Sequence, residues 1–565
     1  MTQYFSRAAK SLVIRRGVGE YDETDFEKPV DSARIAIYSL DGSRFAYATA
    51  SETTVVDPDS GAVLARIPVA AADLYFSPKG TFIVTWVRPK KNSESGNWEN
   101  NLLVWAVASP ESPVGEFLQK SQGSFRGGWS VQWTGDEQFG LRQTAPGTLV
   151  AYDASLKNQA GKLTMPDGIA EFSVSPGRNP AVAIFTTGRK GKPPSVLVYK
   201  VPALSQIAAS RTLLRAESVQ LMWNKLGTAC LVNATTDVDK SGKTYYGDST
   251  LYLLTVNSGA SQRIALDKEG PVHDVAWSPT SDEFAVVYGY MPSKTTFFDT
   301  RGNNIHSLPL ASRNTLKFSP QGRFVVVAGF GNLQGQVDIY DRGNKYAKVT
   351  NLDAPNTSYF DWSPCGRYIL TATTSPRLRV DNGVKIWHYS GRFMYAHDDE
   401  ELFSVGWRPE EIPLNLTEPI PEPHESVANR ATAAAPKPKS AYRPPHARGG
   451  AEVARTSLYQ RTMAAEPAAD QSKAASKNKK KREAKRAAEG TKPAPGNGAE
   501  APATTAAVAQ NPEDKLVRSL LKKLRAIRDL KERQASGEKL ELTQVQKITT
   551  ENDVLTKLAS LGWSE

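Results

Sequence analysis

The chain has 565 residues, of which 70 are Lys or Arg and 59 are Asp or Glu, so its formal net charge at pH 7 is +11. Its two cysteines, Cys230 and Cys365, offer no disulfide framework, which argues against a disulfide-stapled secreted domain. No stretch approaches the roughly 18 uninterrupted apolar residues of a membrane-spanning helix, and Leu12-Val13-Ile14 is too short for the apolar part of a signal peptide. We therefore expect an intracellular, cytoplasmic protein that has no membrane partner.

The positive charge is concentrated at the C-terminal end. Residues 416–565 contain 27 Lys or Arg against 18 Asp or Glu, a net charge of +9, whereas residues 1–415 contain 43 against 41, a net charge of +2. A basic tail of this kind predicts an anionic partner that the tail reaches.

A short phrase recurs along the first 415 residues. It reads LYFSPKGTFIVTW at 74–86, VAWSPTSDEFAVVYG at 275–289, LKFSPQGRFVVVAG at 316–329 and FDWSPCGRYILTA at 360–372. Alternating apolar residues on both sides of a Ser-Pro turn predict a β-hairpin. Weaker copies fill the gaps, and nine equivalent positions are spaced by 38 to 57 residues: Ser39, Ser77, Thr134, Ser175, Asn224, Ser278, Ser319, Ser363 and Arg408. The period predicts an all-β fold, a nine-bladed β-propeller over residues 1–415.

The ninth phrase, at 403–414, has one inner strand and a short second strand before the sequence becomes rich in proline. We expect the N-terminus, around Ser11–Arg16, to supply the missing outer strands, because joining the two ends in one blade removes exposed sheet edges. Tryptophans recur at blade positions and are interpreted as packing residues: Trp86, Trp133, Trp223, Trp277, Trp362 and Trp407.

The strands of a blade are lettered A to D from the inside, and the loops between strands B and C are predicted to be long and different from one another. They lie at 87–101, 186–195, 235–247, 289–296, 329–336 and 374–383. They should bring to one face a set of basic and aromatic residues: Arg88, Lys90, Lys91, Arg189, Lys190, Lys192, Lys240, Lys243, Tyr245, Tyr246, Lys294, Arg377 and Arg379. Lys and Arg suit phosphate oxygens, and tyrosines or Trp98 can stack on exposed bases. For any one basic residue a solubilising role is the better interpretation, but we interpret the six loops together as a site for ribosome or RNA binding.

Residues 416–511 are rich in Pro, Ala and Lys and have few apolar residues to bury, which predicts a disordered linker. The linker carries a basic tract, for which salt-sensitive RNA binding, a nuclear address and a solvated segment all remain open: Lys477, Lys479, Lys480, Lys481, Arg482, Lys485 and Arg486.

Helical spacing begins after Asn511-Pro512, where Leu516, Leu520 and Leu524 recur, and Gly537 interrupts the pattern. Thr543 and Gln546 form a capping box for a second helix. We expect a helical hairpin over 512–563. Its basic face is a candidate partner contact through Arg518, Lys522, Arg525 and Arg528, and the alternative is that its leucines only bury against each other.

The sequence predicts no enzyme, no cofactor and no metal site. The six histidines do not pair at metal-ligand spacing, and there is no Cys-x-x-Cys motif. The Gly-rich loop at 329–335 connects two strands and so lacks the helix N-terminus that cradles phosphate. An active site assembled from scattered carboxylates in the central channel remains an alternative.

Several long phrases carry a family resemblance. TDVDKSGKTYYG at 236–247, YGYMPSKTT at 288–296, AGFGNLQGQ at 328–336 and TATTSPRLRVDNGVKIWHYSG at 371–391 closely resemble the eukaryotic translation initiation factor 2A family, as do AYRPP at 441–445, KNKKKREAKRAAE at 477–489 and the terminal hairpin. The resemblance implies a nine-bladed propeller with WD-like repeats. It also implies binding to the small ribosomal subunit and codon-dependent, GTP-independent delivery of initiator methionyl-tRNA for selected messages. The C-terminal part of such proteins is associated with tRNA, mRNA and the ribosome-joining GTPase.

The sequence therefore leads to one main functional expectation. The propeller's B–C loops dock on the small subunit, and the tail reaches initiator tRNA or mRNA in a monomeric protein. The alternative is a non-catalytic β-propeller interaction scaffold with an RNA-binding tail.

Overall fold

The computed structural model describes residues 2–123, 128–188, 191–236 and 247–427, together with residues 527, 531, 551 and 555. The chain divides into two units, Met1–Tyr442 and Arg443–Glu565. In the first unit the strands form nine antiparallel sheets, eight with four strands in the order A-B-C-D and one with three. The first unit is thus a nine-bladed β-propeller, as the repeated phrase predicted.

The first four blades follow one another in the chain. Blade 1 comprises Ile35–Tyr38, Phe45–Ala48, Thr53–Val56 and Val63–Ile67; blade 2 comprises Asp73–Phe76, Phe82–Trp86, Leu102–Ala106 and Gly115–Phe117. Blade 3 comprises Val131–Trp133, Phe139–Ala145, Thr148–Asp153 and Gln159–Thr164; blade 4 comprises Glu171–Val174, Ala181–Thr186, Ser195–Lys200 and Ile207–Thr212.

The next four blades repeat the same arrangement. Blade 5 comprises Ser218–Trp223, Ala229–Thr235, Ser249–Thr255 and Ser261–Arg263; blade 6 comprises Val272–Trp277, Glu283–Tyr288, Lys294–Asp299 and Asn304–Ser307. Blade 7 comprises Thr315–Phe318, Phe324–Ala328, Gln336–Asp341 and Ala347–Asp353, with a 3₁₀ turn at Arg342–Asn344. Blade 8 comprises Tyr359–Trp362, Tyr368–Thr373, Gly383–His388 and Phe393–Asp398.

The recurring Ser, Thr or Asn has a structural role at the A–B turn of seven blades. In blade 7 the amide of Phe324, which begins strand B, donates to Oγ of Ser319 at 3.0 Å. The same bond, at 2.8 to 3.2 Å, is made to Ser39, Ser77, Thr134, Ser175, Asn224 and Ser363. Because each side chain satisfies a buried amide that the turn leaves without a ladder partner, the residue type recurs with the blade.

The blade tryptophans join neighbouring blades as well as packing between them. The indole of Trp277 in blade 6 donates to the carbonyl of Met222 in blade 5 at 2.9 Å, and Trp362 in blade 8 donates to Lys317 in blade 7 at 3.2 Å. Hydrophobic clusters likewise straddle blade boundaries, as where Val287 of blade 6 packs with Leu316 of blade 7. The core is therefore a ring of inter-blade layers.

The ninth blade closes the ring. Its inner strand is Leu402–Trp407, and its two outer strands are Gln3–Ala8 and Leu12–Arg16 from the N-terminus. The prediction that the N-terminus supplies the outer strands is confirmed, but it identified only the second of them. The predicted short strand after Trp407 is wrong, because strand Gln3–Ala8 occupies the place beside Leu402–Trp407.

Residues Arg408–Val427, which we call the C-terminal strap, follow that inner strand. The strap runs over the A–B turns, where Gln321 of blade 7 donates to the carbonyl of Ile412 at 2.6 Å and Lys225 of blade 5 pairs with Glu411 at 3.3 Å. Among the A–B turns lies a cavity of about 820 Å³, which is lined by residues of these turns and by the start of the strap.

The strap continues along blade 8. Arg367 pairs with Glu418 at 2.6 Å, and its guanidinium also donates to the carbonyls of Glu418 and Pro419. The ring of His424 packs edge-on against Tyr21 and Tyr395. Contacts with the propeller thus continue beyond residue 415, where the sequence placed the start of the linker.

Candidate functional site

The propeller has two different faces. The A–B and C–D turns lie on one, here called the turn face, and the B–C loops and D–A connections lie on the other, here called the loop face. Each predicted B–C loop connects the strands expected of it: residues 87–101, for example, join Phe82–Trp86 to Leu102–Ala106. The loop face therefore carries the predicted basic residues that fall within the described chain.

The B–C loop of blade 2 has exposed cations at Arg88, Lys90 and Lys91. The Lys91 ammonium lies 5.3 Å from the centroid of the Trp98 ring, and Lys120 lies 5.1 Å from the same ring. Trp98 is 41% exposed, so two cations hold an indole that still presents surface to a ligand.

Two other predicted cations are neutralised by acids that the sequence analysis did not consider. Lys192 pairs with Asp167 at 3.2 Å, and Lys294, at the start of strand C in blade 6, pairs with Asp267. The hydrogen bond from Lys294 holds the pKa of Asp267 below its usual value. Both acids lie in D–A connections, which share the loop face with the B–C loops. That shared face is the signal by which they could have been found.

Arg377 and Arg379 lie on the B–C loop of blade 8, and both are exposed. Arg377 reaches the B–C loop of blade 7: a side-chain carbon on Gly331 would lie 2.9 Å from its Nη2 atom. Gly331 has φ +77°, so both its backbone conformation and its neighbour favour glycine. The guanidinium is thus positioned between two neighbouring loops.

Arg379 lies in a cleft of about 1000 Å³ that blade 8 forms with the connections entering and leaving it. The other charged residues that line the cleft are Lys385 and five acids, Asp381, Asp398, Asp399, Glu400 and Glu401. We call it the acidic cleft. The sequence analysis missed it because it treated only Arg377 and Arg379 in this region as binding residues. The run Asp398–Glu401 leads from strand D of blade 8 into a D–A connection. Because D–A connections lie on the same face as the B–C loops, the sequence could have predicted these acids beside Arg379.

Other predicted site residues lie outside the described chain. On the loop face these are Arg189, Lys190, Lys240, Lys243, Tyr245 and Tyr246. In the tail they are Lys477, Lys479, Lys480, Lys481, Arg482, Lys485, Arg486, Arg518, Lys522, Arg525 and Arg528.

The four described residues of the second unit are helical. Ile527 is buried, and Lys531 forms an ion pair with Glu551. These residues fall within the segment in which the sequence predicts a helical hairpin, which stays a prediction.

The described residues contain no group of three or more His, Cys, Asp or Glu side chains arranged to hold a metal ion. Within the same part of the chain, no helix is long and apolar enough to cross a membrane.

The fold and the loop face together define the class of protein. It is a closed nine-bladed β-propeller whose loop face carries long loops, each with its own set of charged residues. Residues 211–405 match the family model described as eukaryotic translation initiation factor eIF2A, and residues 515–561 match the model for the C-terminal domain of eukaryotic translation initiation factor 2A.

The chain is 41% identical to eukaryotic translation initiation factor 2A of Schizosaccharomyces pombe, with 100% of this chain and 99% of that protein covered. It is 35% identical to the Saccharomyces cerevisiae protein of the same name, with 87% and 88% covered. A crystal structure described as that of the eukaryotic initiation factor shares 39% identity at a TM-score of 0.67, covering 73% of this chain and 100% of that one. The chain belongs to the eukaryotic translation initiation factor 2A family and is a translation initiation factor.

Proposed function

We propose that the protein binds the small ribosomal subunit through its loop face. On this proposal it directs initiator methionyl-tRNA there, in a codon-dependent and GTP-independent way, for selected mRNAs in the cytoplasm. Family membership supports a role in initiation, and the observation that carries the docking step is the exposed basic set on a rigid ring: Arg88, Lys90, Lys91, Arg377 and Arg379. The protein acts by binding, without a catalytic step or cofactor.

The loop face supports RNA contact for two reasons. Its exposed guanidinium and ammonium groups match phosphate oxygens, and each phosphate that they neutralise releases counterions. The partly exposed indole of Trp98 offers a surface on which an unpaired base can stack. The basic tract, Lys477–Arg486, adds a second electrostatic contact to tRNA or mRNA, and the hairpin contacts the ribosome-joining GTPase.

Salt-titrated co-sedimentation with purified small subunits tests the docking step. The variant Arg377→Glu/Arg379→Glu should bind about tenfold more weakly or worse, because two phosphate contacts become repulsive. The matched control, Lys157→Glu/Arg301→Glu, makes the same change of charge at exposed C–D turn residues on the turn face. It should bind within about twofold of the parent. Equal weakening of both variants, or of neither, would contradict docking through the loop face.

A second variant separates the tail from the propeller. In the full chain, glutamine replaces all seven Lys and Arg of the basic tract. The salt dependence of tRNA binding should become shallower, because fewer counterions are released. Binding of the small subunit through the loop face should persist. If tRNA binding is unaltered at every salt concentration, the tract has no part in it.

A further inference from the structure

Apart from its exposed Arg379, the acidic cleft is unsuited to RNA contact. Five carboxylates line it against the two cations Arg379 and Lys385, so its field repels phosphate. The cleft nevertheless shares the loop face with the exposed Arg377. A basic surface and an acidic cleft side by side indicate two kinds of partner group.

Two buried acceptors in the cleft wall have no partner. Asn382 is 7% exposed; its Nδ2 donates to the carbonyls of Leu378 and Val380, and its Oδ1 has no hydrogen bond to any described residue. The Asp399 side chain is 10% exposed; its Oδ1 lies 3.4 Å from His397 Nε2, and its Oδ2 is likewise without a partner. An unpartnered buried acceptor destabilises the protein, and a hydrogen-bond donor from a ligand would remove that cost.

The backbone holds the residues Asn382 and Asp399 next to each other. The amide of Asp399 donates to the carbonyl of Asn382 at 3.1 Å, and Gly383 pairs with Asp398 in the ladder between strands C and D of blade 8. The bonds that Asn382 Nδ2 makes to two carbonyls fix which atom of the amide accepts. Since the carbonyl and the carboxylate are both acceptors, the missing group is a donor.

We propose that the acidic cleft binds a Lys- or Arg-rich segment of a partner protein, with one ammonium or guanidinium donating to Asn382 Oδ1 and Asp399 Oδ2. Both cations are donors without acceptors, as the two atoms require. The cleft, at about 1000 Å³, is larger than one cationic group, and its further carboxylates Asp381, Glu400 and Glu401 are exposed along it for neighbouring basic residues. A metal ion fits less well, because no described group of carboxylates is arranged to hold one.

The inference does not depend on the ribosome-docking proposal. RNA binding assigns Arg377 and Arg379 to phosphate, whereas the cleft selects a polypeptide of opposite charge. One loop face can therefore engage a ribonucleoprotein through RNA and protein contacts at once, and the two contacts can be removed separately.

Fluorescence anisotropy with the full-length protein tests the inference. The probe is a labelled peptide of about ten residues that alternates Arg and Gly, and the control probe carries neutral citrulline in place of Arg. The variant Asp381→Asn/Glu400→Gln/Glu401→Gln should bind the Arg peptide about tenfold more weakly. Asn is suited to position 381, where the residue has φ 56°. A single-stranded RNA oligonucleotide should bind this variant at least as tightly as it binds the parent.

A matched control removes three exposed carboxylates from blade 2, in Glu94→Gln/Glu111→Gln/Glu116→Gln. It changes the net charge equally and should leave peptide binding within about twofold, because these charges lie outside the cleft. The single variant Asp399→Asn should weaken binding of the Arg peptide about threefold or more, because it removes charge at the buried acceptor. Equal effects of the two triple variants, or equal binding of the citrulline peptide, would overturn the proposal. So would loss of RNA binding in the cleft variant alone, which would make the cleft part of an RNA site.

Discussion

The turn face and the loop face of the propeller are built on different principles. On the turn face the same short turn recurs, held in seven blades by the same bond from a strand-B amide to a Ser, Thr or Asn side chain. On the loop face each loop has its own contacts, such as Trp98 between two lysines or Arg377 over Gly331. Chemistry that repeats with the blade serves the fold, and chemistry that occurs once is where binding can be specific.

The loop face is not simply basic. D–A connections bring Asp167 and Asp267 to two of the predicted lysines, and the acidic cleft lies at the loop-face end of blade 8. Among the predicted loop-face cations that the structure describes, the exposed ones that remain lie in the B–C loops of blades 2 and 8. Substitutions at Arg313, Glu171 and Ser319 test this contrast between the two faces.

The largest expected effect is at Arg313, in the D–A connection that enters blade 7. Its guanidinium donates to Asp338 at 2.9 and 2.6 Å, and both residues are buried. Arg313→Ala leaves a buried carboxylate with only Lys348 and Asn351 beside it. The free energy of unfolding, measured in urea, should fall by about 3 kcal/mol. Arg301→Ala, at an exposed C–D turn, should change it by less than about 0.5 kcal/mol. A similarly small loss at both positions would show that the buried ion pair between Arg313 and Asp338 does not stabilise the loop face.

The next effect depends on pH and concerns Glu171, which begins strand A of blade 4. Burial raises its pKa to about 7, above its usual value. Between pH about 4.5 and 7 the folded chain therefore holds more protons than the unfolded chain, so this group lowers stability as the pH rises. Allowing for its partial exposure, Glu171→Gln should be more stable than the parent by about 1–2 kcal/mol at pH 8.

The difference between Glu171→Gln and the parent should shrink as the pH falls to 4.5 and below, where the carboxyl group is neutral in the folded state and becomes neutral in the unfolded state. Thermal melts of both proteins across this range measure the difference. Glu94→Gln, an exposed carboxylate on the same face, serves as control and should show no such trend. A pH-independent difference at position 171 would mean that its carboxylate is solvated in the folded protein.

Sequence alone predicted the features that depend on local pattern. The period of the Ser-Pro phrase gave the number of blades, and the strand-B boundary at Tyr368–Thr373 is as expected from alternation around one turn. The B–C loops were found for the same reason. A turn that recurs every blade fixes the strand order on both of its sides, and with it the face on which each loop lies.

Features that depend on which segments become neighbours were not predicted. The strap is rich in proline, so its composition resembles a linker, yet Arg367 and Gln321 bind its backbone carbonyls. The acidic cleft joins segments from the connections at Pro355 and Asp398 with a B–C loop. No local sequence period predicts this arrangement, because it depends on how the two connections fold beside blade 8.

The smallest expected effect tests the repeated turn itself. Ser319 is fully buried, and its Oγ accepts the amide of Phe324 at 3.0 Å. Ser319→Ala leaves that amide without a partner and should lower the free energy of unfolding by about 1 kcal/mol. Ser95→Ala, in the exposed B–C loop of blade 2, should change it by less than about 0.5 kcal/mol. Urea unfolding of the two variants compares the faces directly.

If the losses in the free energy of unfolding were equal, the hydroxyl would recur for a reason other than stability. If only Ser319→Ala is destabilised while binding to small subunits is unchanged, the turn face serves the fold and the loop face remains the place to look for partners.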